Sequence, residues 1–198
     1  MAPKTLRDLS GLGTQLPALH DAALVMIDCQ NTYREGVMQL AGVEAALIEA
    51  QRMLQRARTA GIPVFHVRHD AGAGSPYDLT QRIGQISDEV APREGEAVIT
   101  KRFPNSFVQT GLEQQLHAAG VADVILAGFM THMCVNSTAR GAFNLGFRPT
   151  VVAGATATRD LPGPDGAVVP AAAMQAASLA GLRDLFAVVV HASDEIAD

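Results

Sequence analysis

The chain has 198 residues, enough for one domain with a core of its own. With 48% hydrophobic and 18% charged residues, intrinsic disorder is excluded. A formal net charge of -5 with no Lys or Arg block argues against nucleic acid and anionic membrane as partners, and no apolar run reaches the roughly 18 residues of a membrane span.

Only two cysteines occur, Cys29 and Cys134, so there is no disulfide framework. Residues 1–20 lack the apolar core of a signal peptide, and a cytoplasmic protein is expected. The sequon Asn136-Ser-Thr138 then reads as a chance match. Residues 1–20 read as an N-terminal arm ahead of a single domain over 21–198.

Short apolar runs alternate with helical patterns. The run 23–27 ends at Asp28 and reads as a strand. Residues 42–60 carry Val43, Leu47, Ile48, Met53, Leu54 and Ala57 near 3.6 spacing, and Gly61 ends that helix. A strand over 64–68 follows, then a Gly- and Ser-rich loop over 70–76. Residues 97–101 read as a strand ending at Lys101, 110–119 as a helix closed by Gly120, and 123–129 as a strand. A helix over 134–145 leads to a strand at 150–153, an Ala-rich helix over 170–182 and a last strand at 186–190. The strand runs are continuous rather than alternating, as burial on both sheet faces requires. The alternation implies an α/β fold of three α/β/α layers around a six-stranded, mostly parallel sheet.

Open parallel sheets bind ligands beyond the C-terminal ends of their strands. Asp28 and Lys101 end strands, and the fourth strand runs into Cys134 at a helix start. A helix N-terminus and an ammonium group stabilise a thiolate, and a carboxylate held by that cation can accept the thiol proton. Taken locally, Asp28 also reads as a cap, Cys134 as core and Lys101 as a solvated strand end. Lys101 would sit two strand spacings from the first strand, about 9.6 Å away, a gap its long stem must span.

The stretches Ala23-Leu-Val-Met-Ile-Asp28-Cys-Gln-Asn31, Lys101-Arg-Phe-Pro-Asn-Ser-Phe107 and Gly128-Phe-Met-Thr-His-Met-Cys134-Val resemble the isochorismatase-like cysteine hydrolases. The resemblance runs from about residue 22 to 190. It implies a Rossmann-like sheet of order 3-2-1-4-5-6, Asp28 as general base, Lys101 as charge-stabilising lysine and Cys134 as nucleophile. It further implies a cis peptide at Phe129–Met130 that turns the Met130 N–H toward the same point as the Cys134 N–H, forming an oxyanion hole. A homo-oligomer is also implied. The nicotinamidase branch of that family carries a metal motif Asp-x-His after the second strand; the corresponding stretch here is His69-Asp70-Ala71, with Ala71 at the histidine position, so no metal is expected.

Other signals are weaker. His66 and His69, three apart on a strand, face opposite sides and share no metal. Met130, His132, Met133 and Cys134 form a soft-ligand cluster read as chance, and a His132–Cys134 pair need not form at a turn. Cys29 points away from Asp28 and reads as core. Tyr33, Phe103, Phe107, Phe129 and His69 are expected as substrate-pocket walls, with Arg34 and Arg68 able to meet a polar group. Gly72, Gly74 and Gly111 fit no phosphate fingerprint, so no nucleotide or other cofactor is expected. The chain is therefore expected to be a cofactor-independent cysteine hydrolase acting on a small amide or related C–N bond. Isochorismate-type vinyl-ether hydrolysis, or a non-catalytic redox-sensing member of the same fold, are the alternatives.

Overall fold

All six residues of β1 (Ala22–Ile27) are buried, and alternate ones feed opposite faces of the sheet. Leu24 and Met26 join one core, while Ala23, Val25 and Ile27 join the other. Such two-sided burial is what an uninterrupted apolar run encodes in a central parallel strand. The computed structural model describes residues 3–198. Its further sheet strands are β2 (Val64–His69), β3 (Ala97–Lys101), β4 (Asp123–Phe129) and β5 (Arg148–Ala157). A two-stranded antiparallel hairpin, β6 (Leu161–Pro162) with β7 (Val168–Val169), precedes the last sheet strand, β8 (Val188–Val190). The sheet order is β3-β2-β1-β4-β5-β8, with every pairing parallel. This is the expected order, with β8 as the sixth strand.

A short helix α1 (Leu6–Leu9) lies against α5 (Ala171–Asp184): the Leu6 N–H donates to Asp184 at 2.9 Å, and Arg7 donates to the Leu185 carbonyl at 2.9 Å. The long helix α2 (Val43–Ala60) starts and stops at glycines in the left-handed region, Gly42 and Gly61. Its buried stripe is Val43, Ala46, Leu47, Ala50, Met53, Leu54 and Ala57, and it covers the first core. Ile48, expected in that stripe, is 54% exposed, because it lies one residue past Leu47, about 100° further round the helix and on the face away from the core. Helices α3 (Leu112–Ala118), α4 (Asn136–Asn144) and α5 cover the opposite face through Leu112, Leu116, Ala139, Ala142 and Leu182.

Three local expectations need correcting. β5 runs on to Ala157, past a register shift against β4 between Leu126 and Gly128, so its apolar run 150–153 covers less than half of it. The helix read from Cys134 begins earlier, as a π-helical turn over Thr131–Val135 that continues into α4. Edge strand β3 is half exposed at Val98, unlike the central strands.

Beside β2, buried His66 lies 2.9 Å from Glu96, which Arg58 also holds through two bonds of 2.7 and 2.8 Å. Arg58 is the main reason the Glu96 carboxyl falls to about 2, and burial holds His66 below its ordinary value. Both folded values lie below their unfolded ones, so each group stabilises above its unfolded pKa and loses that stability on acidification. The melting temperature should fall first below about pH 6.5, where unfolded histidine protonates, and again from about pH 4.5 toward about 2 as Glu96 protonates. In thermal melts, His66→Gln should flatten the first decline and leave the second.

Gly128 pairs with Ile27 across the β1–β4 contact at a φ of +121°, and an added Cβ would stand 1.9 Å from the Ile27 carbonyl oxygen. Gly128→Ala should therefore cost about 3 kcal/mol or more in urea unfolding, since the obstacle is backbone and cannot turn aside.

Candidate active site

β1 and β4 are neighbours at the point where the sheet's winding reverses, the place where open parallel sheets bind ligands past their C-terminal strand ends. Asp28 follows β1 directly. Its φ of +48° is the left-handed region that aspartate tolerates better than most residues, and its N–H donates to the Val67 carbonyl at 2.8 Å. Lys101 closes β3. In the β2–β3 pairing it stands opposite His69, and its stem spans the end of β2. Lys101 Nζ thereby lies 2.7 Å from Asp28 Oδ2, with both side chains wholly buried. The two-strand gap is bridged by the lysine stem itself.

Cys134 enters from the π-helical turn after β4. Lys101 Nζ donates to Cys134 Sγ at 3.3 Å and to His69 Nδ1 at 3.3 Å. Sulfur, carboxylate and ammonium thus meet. Both Asp28 oxygens are buried and neither has a donor in hydrogen-bond geometry among the described residues, so the Lys101 contact is an ion pair. The Phe129–Met130 peptide is cis, and the Met130 carbonyl accepts from Met133 and Val135 at 3.0 and 3.2 Å.

Burial raises the Asp28 carboxyl, and the Lys101 ammonium opposes that rise. Burial works to discharge Lys101, but Asp28 and Cys134 outweigh it and hold the ammonium above its ordinary value. For Cys134, burial and then the Asp28 charge push the thiol up to about 12, with Lys101 pulling the other way. The ammonium alone thus does not lower the thiol: burial and the neighbouring carboxylate outweigh it and favour the protonated sulfur.

The surrounding residues separate into two groups. His69 is half-buried beside Lys101, with its ring edge-on to Tyr77 at 4.8 Å. Tyr33 is buried between Tyr77 and Phe129, with ring centroids at 5.9 and 5.8 Å, and its hydroxyl lies 3.3 Å from that of Tyr77. Phe107, expected as a pocket wall, stacks instead on Phe147 at 5.9 Å against the core beneath α3 and α4. Ser106 holds it there by bonding to Thr138 of α4 at 2.8 Å through its hydroxyl and 3.0 Å through its N–H. Phe103 is 41% exposed. Arg34 pairs with Glu44 and Glu89, and Arg68 donates to Thr100, so neither arginine is left open for a substrate group.

The soft-ligand cluster does not converge. His132 Nδ1 lies 2.6 Å from Thr158, and Met133 is exposed. Cys29 packs in the α2-side core and Cys134 in the opposite one, both as free thiols. His66 and His69 turn to separate partners, Glu96 and Lys101.

Two residues escaped the sequence reading. Tyr77 lies in the loop read only as Gly- and Ser-rich or beyond it, with no periodic signal to mark it. Gln30 is wholly buried and clamps both backbone groups of His69, accepting its N–H at 2.8 Å and donating to its carbonyl at 3.0 Å. Gln30 stands in a polar stretch, with Asp28, Asn31 and Thr32 beside it, so no local signal sets it apart.

Comparison with known proteins shows the family and the fold. A family model described as Isochorismatase domain matches residues 22–194. The chain is 35% identical to the secreted isochorismatase effector Isc1 of Verticillium dahliae, over 96% of this chain and 98% of that protein. It is 34% identical to the maleamate amidohydrolase of Pseudomonas putida, over 66% of this chain and 69% of that protein. A crystal structure of an isochorismatase from Pseudomonas putida superimposes with a TM-score of 0.95 at 38% identity, covering 98% of this chain and 100% of that one. Among the described residues no helix is long and apolar enough to cross a membrane.

Removing one member of a buried ion pair strands the other charge. Lys101→Met should lower unfolding stability by about 3–5 kcal/mol, and adding Asp28→Asn should recover part of that loss, as read by urea denaturation.

Proposed function

The chain belongs to the isochorismatase family of hydrolases, and from that premise we propose that it is a cofactor-independent cysteine hydrolase cleaving a small amide or related C–N bond through a thioester. One observation carries the reading: a thiol, a carboxylate oxygen without a donor and a buried ammonium share one strand-end crevice. Asp28 Oδ1 takes the Cys134 proton as Sγ attacks the substrate carbonyl carbon. Lys101 stays charged beside both, stabilising the sulfur as its proton leaves. The N–H groups of Met130 and Cys134 hold the developing oxyanion. The C–N bond then breaks, the amine leaves with the proton held by Asp28, and an acyl-thioester remains on Cys134. Asp28 next draws a proton from water, whose oxygen attacks the thioester, and the acid leaves as the thiol regains its proton.

A protonated resting thiol suits this sequence, because base and nucleophile act together. His69 and Tyr77 border the crevice on the substrate side in this reading. The maleamate amidohydrolase among the relatives supports amide chemistry, and the two free thiols support a reducing, cytoplasmic location.

The name of the Isc1 relative favours a second reading, vinyl-ether hydrolysis of the isochorismate type. That reaction needs an acid near Asp28 but no sulfur nucleophile. The two separate on Cys134→Ala. We expect amide turnover, followed as ammonia or amine release over an amide panel, to fall about a thousandfold or more with the melting temperature kept. Mass spectrometry of the wild type should show an acyl adduct on Cys134. Full amide turnover in the variant would refute the covalent route, and isochorismate hydrolysis surviving the substitution would favour the second reading.

A further inference from the structure

The Lys101 ammonium has three N–H donors and no acceptor. One donates to Cys134 Sγ at 3.3 Å, and the nitrogen lies 2.7 Å from Asp28 Oδ2 as an ion pair. The third neighbour is His69 Nδ1 at 3.3 Å. Because the lysine can only donate, Nδ1 must carry a lone pair, and a neutral His69 then holds its proton on Nε2. No protein acceptor for Nε2 occurs among the described residues, so that tautomer is set by the lysine alone.

The ring is held for this contact from several sides. Gln30 fixes the His69 backbone through both its N–H and its carbonyl, and donates as well to the Gly84 carbonyl at 2.6 Å. The β2–β3 register puts His69 directly beside Lys101, and Tyr77 packs edge-on against the imidazole. The charged and titratable groups facing His69 are Lys101 from β3, Asp28 after β1, Tyr77 from the loop after β2, and its chain neighbour Asp70, which Arg102 approaches at 3.5 Å. Burial and the lysine charge keep the imidazole neutral.

We propose that His69 is a positioning residue for the hydrolytic site: as the Nε2–H tautomer it accepts an N–H of Lys101 and thereby fixes the ammonium between Asp28 and Cys134. Without that acceptor a buried ammonium carries an unsatisfied N–H, and it can regain a partner only by turning away from the sulfur. The Cys134 thiol then ionises less readily. The proposal's effect on turnover rests on the cysteine-hydrolase reading, whereas its effect on thiol ionisation does not.

The test follows alkylation of Cys134 by iodoacetamide across pH, with peptide mass spectrometry separating it from buried Cys29. His69→Leu removes the acceptor. It should slow alkylation of Cys134 about tenfold near pH 8, equivalent to about one unit of thiol pKa. His69→Asn places an amide oxygen where Nδ1 stood and should restore the wild-type profile to within about threefold. Should His69→Leu fail to fold by circular dichroism, His69→Gln takes its place, since its amide reaches the Nε2 position and leaves Lys101 unpartnered. An unchanged profile in the folded Leu or Gln variant overturns the proposal, as does an Asn variant as slow as these. Failure of the wild type to turn over any amide, with these profiles as expected, would count against the hydrolase reading alone.

Discussion

A cation sealed inside a protein must be paired and hydrogen-bonded, or it discharges. Lys101 meets that condition with a carboxylate as its counter-ion and with hydrogen bonds to a sulfur and an imidazole. Everything around it serves that arrangement. The sheet order brings the ends of β1, β2 and β3 side by side, and the β4–α4 turn closes the fourth direction. If the ammonium were neutral, Asp28 would face burial alone and rise further toward its protonated form.

The same desolvation decides the chemistry. A cysteine near a lysine is often read as a ready thiolate, yet here burial and the adjacent carboxylate win, and the thiol is pushed up to about 12. In the proposed reaction, activation therefore depends on a base at hand rather than on a permanently charged sulfur. A carboxylate oxygen without a hydrogen-bond donor is what such a base requires. A protonated sulfur in a closed crevice is also protected from adventitious oxidants.

Much of the fold was legible in the chain. Continuous apolar runs marked the central strands because both faces of β1 and β4 are buried, and glycines marked the ends of α2. The strand ends then pointed to Asp28 and Lys101. What the chain could not show was direction. Phe107 lies six residues after Lys101, but the Ser106–Thr138 bonds turn it into the core. Ile48 directly follows Leu47, so it is off the period of the buried stripe and projects from the outer face of α2. β5 outran its apolar segment because its second half pairs with β4 beyond a register shift. The role of His69 depends on cross-strand register with β3, a relation between residues 32 positions apart that no local pattern records.

Asp28 illustrates a conflict between comfort and use. Its left-handed backbone would suit glycine best, and relaxing it would recover about 1 kcal/mol of local conformational cost. Yet glycine lacks the carboxylate that neutralises Lys101. Selection for thermal hardiness would therefore keep the strained residue, because stranding the Lys101 charge costs about 3–5 kcal/mol, more than the backbone relief returns. Stabilising this scaffold by consensus or library methods should exempt that position, because the substitution that relieves the backbone leaves a buried ammonium without its counter-ion.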